Sequence, residues 1–370
     1  MRIRIGPFTL IHLSLLSLLF AVSFSENVDD LGFAANILFS SLLVASGLVL
    51  FACRLPTPTL GKICSDQRAL GLLILVAVAL VAYHYYVIGL PIFSEDIERT
   101  RFELMKSGLF GLPSRASIYT PPMLIWLSLL GDRLGLAPRM RVVWFGAGCL
   151  LLIFTGHKSA LLTVFIAAAI VFPLVTEASK VYIRYFIAPL FLGAMLYGLF
   201  SFQKMTSLGS NLGDYVWQRF TDISIMPVYS AYNWSSADEG FASIFKEIFF
   251  PVSRIIIDGF DIFVIRLSRS IYLVPEGAFT VPVTPGFFAF HVGVIGVFYA
   301  YVFSAIFTVM YFLIVSSLYR DRNIFGIFSK SLMVYAFYIG FSTGNFYYAI
   351  SNAAPFALLI LVFKYKWRNK

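Results

Sequence analysis

The sequence predicts an all-α, polytopic membrane protein with about 10 transmembrane helices, both termini in the cytoplasm (N-in/C-in) and one large external loop with amphipathic helices. The composition is 59% apolar and only 13% charged, whereas soluble domains are about 25% charged. The mean hydropathy is +0.84. Apolar stretches recur along the chain at the length of about 17–25 residues that a helix needs to cross about 30 Å of hydrocarbon.

Ten such stretches follow one another along the chain. The first resembles a cleavable signal peptide, but a second apolar stretch follows at once, so we interpret it as a signal-anchor helix. The fourth begins with Pro121-Pro122, and only residues 155–158 separate the fifth from the sixth. The predicted spans are 1–24, 33–53, 69–90, 118–130, 142–154, 159–175, 185–202, 286–316, 324–341 and 346–363.

The charges of the loops predict the orientation. With the N-terminus in the cytoplasm, the inner loops hold most of the 28 basic residues and few of the 19 acidic ones. Positive charge is retained inside during insertion, so both termini are expected there. The net charge of +9 is thereby explained by topology, and we expect no nucleic-acid partner. The three cysteines lack paired spacing, which predicts neither a disulfide framework nor a zinc site.

The chain divides into residues 1–202 with seven spans, residues 203–285 as the external loop, and residues 286–370 with three spans and a basic tail. Inside the loop, Ser236 to Glu239 form a capping-box pattern before a helix that should end before Pro251. The next segment, 252–273, mixes apolar residues with charges. It is therefore predicted as an amphipathic helix on the membrane surface or capping the bundle.

Basic residues outside the membrane are the main candidates for binding. The planar guanidinium of arginine binds two phosphate oxygens at once and does not deprotonate, which suits a pyrophosphate. The same arginines could instead pair with acids such as Glu98, Asp258 or Asp261, or bind lipid headgroups. The candidate set is Arg99, Arg101, Arg115, His157, Lys158, Arg254, Arg266 and Arg269.

Two further positions each have two interpretations. His291, near the predicted outer face, could be a general base or a hydrogen-bond donor to a phosphate. It could also bond a backbone carbonyl in a helix-packing face, where Gly293 and Gly296 allow close approach. Lys158 could contact substrate or extend to the membrane interface. No phosphate-binding glycine loop, HExxH motif or serine-hydrolase elbow is present, and we expect neither a metal nor a cofactor.

The chain resembles the O-antigen or oligosaccharide repeat-unit polymerases of the Wzy type. The resemblance lies in the external stretch PIFSEDIERTRF at 91–102 and in the hairpin FTGHKSALL at 154–162. It also lies in the large external loop followed by VTPGF at 283–287 and GVIG at 293–296. Arg266 and Gly277 fit an Arg-x10-Gly pattern of some members. In the hairpin the family often has arginine, where this chain has His157-Lys158.

The resemblance implies a metal-independent glycosyltransferase of the bacterial inner membrane. It would transfer a growing glycan from one undecaprenyl-pyrophosphate carrier onto the sugar of an incoming lipid-linked repeat unit. The arginines would bind both pyrophosphates, and His291, Glu276 or Asp261 would take the proton of the attacking hydroxyl. Trp217 and Tyr232 would stack on sugars, although interfacial anchoring explains them equally well.

Other membrane functions stay open on the sequence alone. The rival hypotheses are a lipid-linked oligosaccharide flippase or other transporter, and an O-antigen ligase. Transporters tend to have internal repeats and charges within spans, whereas the span interiors here are nearly free of charge and the two halves do not look alike. The expected partners are the lipid-linked donor and acceptor, membrane lipids and a regulator of chain length. If the polymerase hypothesis holds, Arg266→Ala should abolish polymerisation while the protein still inserts.

Overall fold

The described part of the chain is helical. The computed structural model describes residues 6–25, 30–58, 62–91, 111–155, 160–175, 217, 222–234, 240–249, 261–272 and 284–366. No strand occurs in these ranges. Their helices are α1 (Pro7–Phe24), α2 (Leu31–Ala52), α3 (Gln67–Ile88), α4 (Leu112–Leu129), α5 (Gly131–Leu134), α6 (Pro138–Phe154), α7 (Ala160–Val171), α8 (Asp222–Tyr232), α9 (Phe241–Ile248), α10 (Phe263–Tyr272), α11 (Phe287–Ile295), α12 (Val297–Arg320), α13 (Ile324–Thr343) and α14 (Phe346–Lys366).

Six of these helices, namely α1, α2, α3, α12, α13 and α14, are long and apolar enough to cross a membrane. The predicted all-α class is confirmed, and the membrane class is supported. The helices α4, α6 and α7 lie where spans four, five and six were predicted. Helices α6 and α7 are shorter than the six, and α4, with 18 residues, is not apolar enough to be counted with them. Span seven, 185–202, lies outside the described residues. The count of ten and the orientation therefore stay predictions.

Helix α13 lies at the centre of the bundle. Its span is 83% buried, against 28–39% for the other five. It packs against α1, α4, α7, α11, α12 and α14, although it is the least apolar of the six. Lipid is as apolar as a leucine side chain, so hydropathy does not select which helix is interior. Close packing decides instead, with Ser329 and Ser331 buried on α13 and the rings of Phe307 and Phe341 stacked 4.4 Å apart.

Three loops meet at one end of the bundle. The Cys64 N–H donates to the Arg322 carbonyl (2.8 Å), and the Ile324 N–H donates back to the Cys64 carbonyl (3.1 Å). The Ile63 N–H donates to the Arg133 carbonyl (3.2 Å). The predicted topology places these three loops on the same side of the membrane, and their contacts at one end of the bundle agree with that prediction.

The opposite end, here named the cap end, carries the last turn of α1, the first turns of α2 and α14, and helices α8, α9 and α10. The Asn36 side chain joins three elements there. Its Nδ2 donates to the Tyr232 hydroxyl (2.8 Å), and its Oδ1 accepts from the Tyr301 hydroxyl (2.7 Å). The Trp217 ring packs edge-on against Phe24 (5.8 Å). Segments of the predicted external loop thus pack onto one end of the bundle.

The prediction of a single span at 286–316 is wrong. Helices α11 and α12 fold back on each other, because Phe287 lies 5.1 Å from Phe307 and His291 lies 4.8 Å from Phe303 between ring centroids. Contacts in that register require antiparallel helices. Gly296 joins them with a φ of 86°, a conformation that glycine adopts without strain. The continuous apolar run therefore encodes a short helix that dips into the bundle, followed by a membrane-length helix.

Two other boundaries differ from the predictions. Helix α4 begins at Leu112, six residues before the predicted start at 118, with Pro113 in its first turn, so Pro121 and Pro122 lie inside the helix. The described part of segment 252–273 is helical over Phe263–Tyr272 only, after the non-helical Asp261 and Ile262.

Candidate functional site

A cavity of about 560 Å³ lies among the helices below the cap end. Its wall is formed by α1, α2, α7, α8, α12 and α13 together with the start of α11. Among the described residues no charged side chain lines it, and the polar groups are mainly hydroxyls. They include Ser14, Ser17, Ser40, Ser41, Ser304 and Ser342. The cavity therefore offers hydrogen bonds inside a wall that is otherwise apolar.

The wall of the cavity reaches two outer surfaces. Leu13 on α1 and Leu162 on α7 line the cavity and are also 57% and 59% exposed, so they mark a lateral rim facing the lipid. Ser224 on α8 and Thr284 before α11 are lining residues that are also exposed, so they mark a second opening. A molecule with an apolar chain and a polar head could reach both surfaces from this cavity.

A second polar region lies on the cap helices α9 and α10, around the buried carboxylate of Glu247. This side chain is only 4% exposed. Its Oε1 accepts a hydrogen bond of 2.5 Å from the Phe263 N–H, which is one of the first amides of α10. The first amides of a helix lack intrahelical partners, so Glu247 holds the start of α10 against α9.

The predicted arginines of α10 lie beside carboxylates. Arg269 forms an ion pair through Nη1 with Oδ2 of Asp261. Nη2 of Arg266 lies 3.9 Å from Oε1 of Glu247, which is too long for a hydrogen bond, and its guanidinium carbon lies 5.8 Å from the ring centre of Phe263. The pairing of Arg269 with Asp261 was one of the two interpretations, and Arg266 lies within ion-pair distance of Glu247.

His291 lies inside the bundle with no exposed surface. Its Nδ1 is 2.7 Å from the Phe287 carbonyl and its Nε2 is 2.9 Å from the Tyr347 hydroxyl. Both ring nitrogens are thus engaged, and Gly293 approaches the Ala231 carbonyl of α8 so closely that no Cβ would fit. This geometry favours the packing interpretation of His291.

The other described candidates make contacts between helices. Nε of Arg115 donates to Oδ1 of Asn352 (3.2 Å), which ties α4 to α14. Tyr232 and Trp217 make the α2 and α1 contacts given above, and both the sugar-stacking and the interfacial-anchoring interpretations stay predictions. The remaining candidates, Arg99, Arg101, His157, Lys158, Arg254 and Glu276, lie outside the described residues. Whether they converge with Arg266 and Arg269 therefore stays a prediction.

Sequence reasoning missed Glu247 and Ser41 as site residues. Glu247 follows Ser243 and Ile244 by four and three residues, which places all three on one buried face. The spacing can be read from the sequence, but Phe241, Phe245 and Phe249 are the more apolar residues of the α9 region, and they are exposed in the structure. Ser41 carries no local signal, because its importance depends on the helices that surround it.

No family model, curated protein or solved structure matches the chain. Among the residues the structure describes, no group of three or more His, Cys, Asp or Glu side chains is placed to hold a metal ion. Any function must therefore be argued from the cavity and from the cap helices.

Proposed function

We propose that this chain polymerises oligosaccharide repeat units linked to undecaprenyl pyrophosphate, on the outer side of a bacterial cytoplasmic membrane. The observation that carries the proposal is the cavity. Its described lining carries no charge and includes several hydroxyls, and the cavity reaches the exposed rim at Leu13 and Leu162 as well as the exposed residues Ser224 and Thr284. The apolar wall and the rim at Leu13 and Leu162 suit a polyprenyl chain, and the hydroxyls suit a pyrophosphate with its sugars.

The proposed reaction is a metal-independent glycosyl transfer that needs no cofactor. A hydroxyl of the acceptor sugar attacks C1 of the donor sugar, a new glycosidic bond forms, and the bond from C1 to the donor pyrophosphate breaks. The hydroxyl proton passes to a general base, and the lipid pyrophosphate leaves as an anion. Donors of hydrogen bonds and positive charge near that anion would lower the barrier.

Among the described arginines we keep Arg266 as the proposed contact of a pyrophosphate, because it fits the Arg-x10-Gly pattern. Its guanidinium lies 3.9 Å from Glu247, whereas Arg269 is paired directly with Asp261. Arg99, Arg101, Arg254, His157 and Lys158 remain proposed partners of the same anion.

For the proton acceptor we keep Glu276, Asp261 and His291. Asp261 and His291 are already engaged, by Arg269 and by Tyr347 respectively. Glu276→Gln is therefore the first variant to test.

Deletion of the gene, followed by gel analysis of surface glycan, tests the proposal. Loss of long chains with single repeats still attached to the acceptor is the expected result, and the wild-type gene should restore long chains. Loss of every repeat would overturn the proposal in favour of a flippase or a ligase. An unchanged chain-length distribution would also overturn it. Removal of a chain-length regulator should alter the distribution only in cells that hold this protein.

A further inference from the structure

The start of α11 lies in the wall of the cavity. Gly286, Phe287 and Phe288 are lining residues, and Gly286 is the N-cap without a side-chain capping bond. The first amides of an α-helix have no intrahelical acceptor, and the aligned peptide dipoles add a partial positive charge there. Anions bind at such helix starts. The nine-residue helix α11 thus presents an electropositive end inside the bundle.

Ser41 gives an independent sign of a ligand in the same cavity. Its side chain lines the cavity and is 2% exposed, yet its Oγ has no hydrogen-bond partner among the described residues. Buried hydroxyls are nearly always bonded, because an unpaired one loses its hydrogen bonds to water without replacement. Ser40 next to it already donates to the Ile37 carbonyl (2.9 Å).

Both features lie at the same depth in the bundle. On α2, Asn36 bonds Tyr301 of α12, and Gly47 lies against Thr308 of the same helix. Ser41 is midway between those two contacts and therefore level with the middle of the 301–308 segment. The start of α11 is at this level too, because Phe287 contacts Phe307.

We propose that the amides at the start of α11 and the hydroxyl of Ser41 bind the phosphate oxygens of a prenyl-linked phosphate. This assignment rests on the proposed function and places one phosphate site inside the cavity rather than on the arginines of α10. The prenyl chain leaves the cavity at the rim between α1 and α7, where Leu13 and Leu162 are exposed. Hydrogen bonds from fixed amides suit this place, since a lysine or arginine there would be costly to bury when the substrate is absent.

Calorimetric titration of the purified full-length protein in detergent with geranylgeranyl diphosphate tests the site. Wild-type protein should bind the diphosphate more tightly than geranylgeraniol, which lacks the phosphates. Ser41→Ala should weaken diphosphate binding by about fivefold, the effect of one ordinary hydrogen bond. Ser41→Asp should weaken it by at least about tenfold through repulsion between carboxylate and phosphate. Binding of geranylgeraniol should change little in either variant.

Ser46→Ala is the matched control, because Ser46 lies on the exposed face of α2 and donates to the Leu42 carbonyl (2.6 Å). Unchanged diphosphate affinity in both Ser41 variants would overturn the site, and Ser41→Ala decides alone when Ser41→Asp does not fold. Equal affinity for inorganic diphosphate would overturn the prenyl-linked assignment. Diphosphate binding that depends on Ser41, together with normal glycan length in the deletion strain, would leave the site standing and remove the polymerase function.

Discussion

The cavity and the α9–α10 surface differ in how their polar groups are used. On α10 the charges lie beside opposite charges, as with Arg269 and Asp261. In the cavity no described residue is charged, yet the Ser41 hydroxyl has no partner among the described residues. Residue type alone ranks the arginines first as ligands for phosphate. Their contacts give a different order, because a group that is already satisfied gains less from binding a ligand.

The largest expected effect comes from filling the cavity. Ser342→Phe adds a ring to the cavity wall at the end of α13 and should remove long glycan chains from a complemented deletion strain. The reason is steric, so protein abundance in the membrane should stay near wild type. Gel analysis of surface glycan and an immunoblot of membranes measure the two quantities.

Ser46→Phe serves as the control for added bulk, because Ser46 lies on the exposed face of α2 away from the cavity. Long chains should persist in it. Normal chain length in Ser342→Phe would show that the cavity does not hold substrate.

The second expected effect separates the two arginines of α10. Arg266→Ala should shorten or abolish the glycan, whereas Arg269→Ala should leave chain length close to wild type. The guanidinium of Arg269 is already paired with the carboxylate of Asp261, so it is less available to a phosphate. Chain-length analysis of the two variants at matched expression is the measurement.

Asp261→Ala completes the comparison, since it removes the partner of Arg269 and should also have little effect. If Arg269→Ala or Asp261→Ala abolished polymerisation while Arg266→Ala did not, the assignment of the pyrophosphate contact to Arg266 would be overturned.

A third expected effect concerns stability rather than activity. Glu247→Ala removes the buried carboxylate that accepts the Phe263 N–H and should lower the free energy of unfolding by about 2–3 kcal/mol. Glu247→Gln keeps an acceptor oxygen and should cost less. Chemical unfolding in detergent, followed by circular dichroism, measures both. Equal losses in the two variants would mean that charge, rather than the capping bond, stabilises the start of α10.

The smallest expected effect tests the apolar face of the cap. Phe241, Phe245 and Phe249 of the α9 region are exposed at four-residue spacing, and the Phe241 ring packs 4.9 Å from Tyr299 at the start of α12. This stripe continues the exposed apolar surface of α12, so we expect it to lie in the lipid interface. A tryptophan placed at Phe245 should be quenched by brominated lipids more than one placed at Lys246. Equal quenching would leave the cap above the membrane.

Helix positions were largely predictable, because apolar runs of membrane length are a property of sequence alone. Helices α13 and α14 begin at the predicted residues. The reversal at Gly296 was not predictable in this way, since a single glycine leaves the apolar run unbroken. Its φ of 86° and the Phe287–Phe307 contact are tertiary facts. Hydropathy also gave no hint that α13 is the interior helix, because lipid and protein interior are similarly apolar.

The candidate site was predictable only in part. The sequence allowed two interpretations of Arg269, a contact with a pyrophosphate or an ion pair with an acid such as Asp261, and it could not decide between them. Only the packing of α1, α11 and α12 around Ser41 shows that its hydroxyl is buried and has no hydrogen-bond partner among the described residues. His291 looked like a catalytic group because of its type, and its bond to Tyr347 joins residues 56 positions apart in sequence.

The central position of α13 has a consequence for biosynthesis. Helices α1, α4 and α7 leave the ribosome well before α13, yet each of them packs against it. Until α13 is inserted, the faces of these helices that will contact it must be covered by lipid, by each other or by a chaperone. Assembly of the bundle is therefore delayed by contacts between distant parts of the chain. Nascent chains arrested before α13 should consequently be degraded faster than chains arrested just after α14.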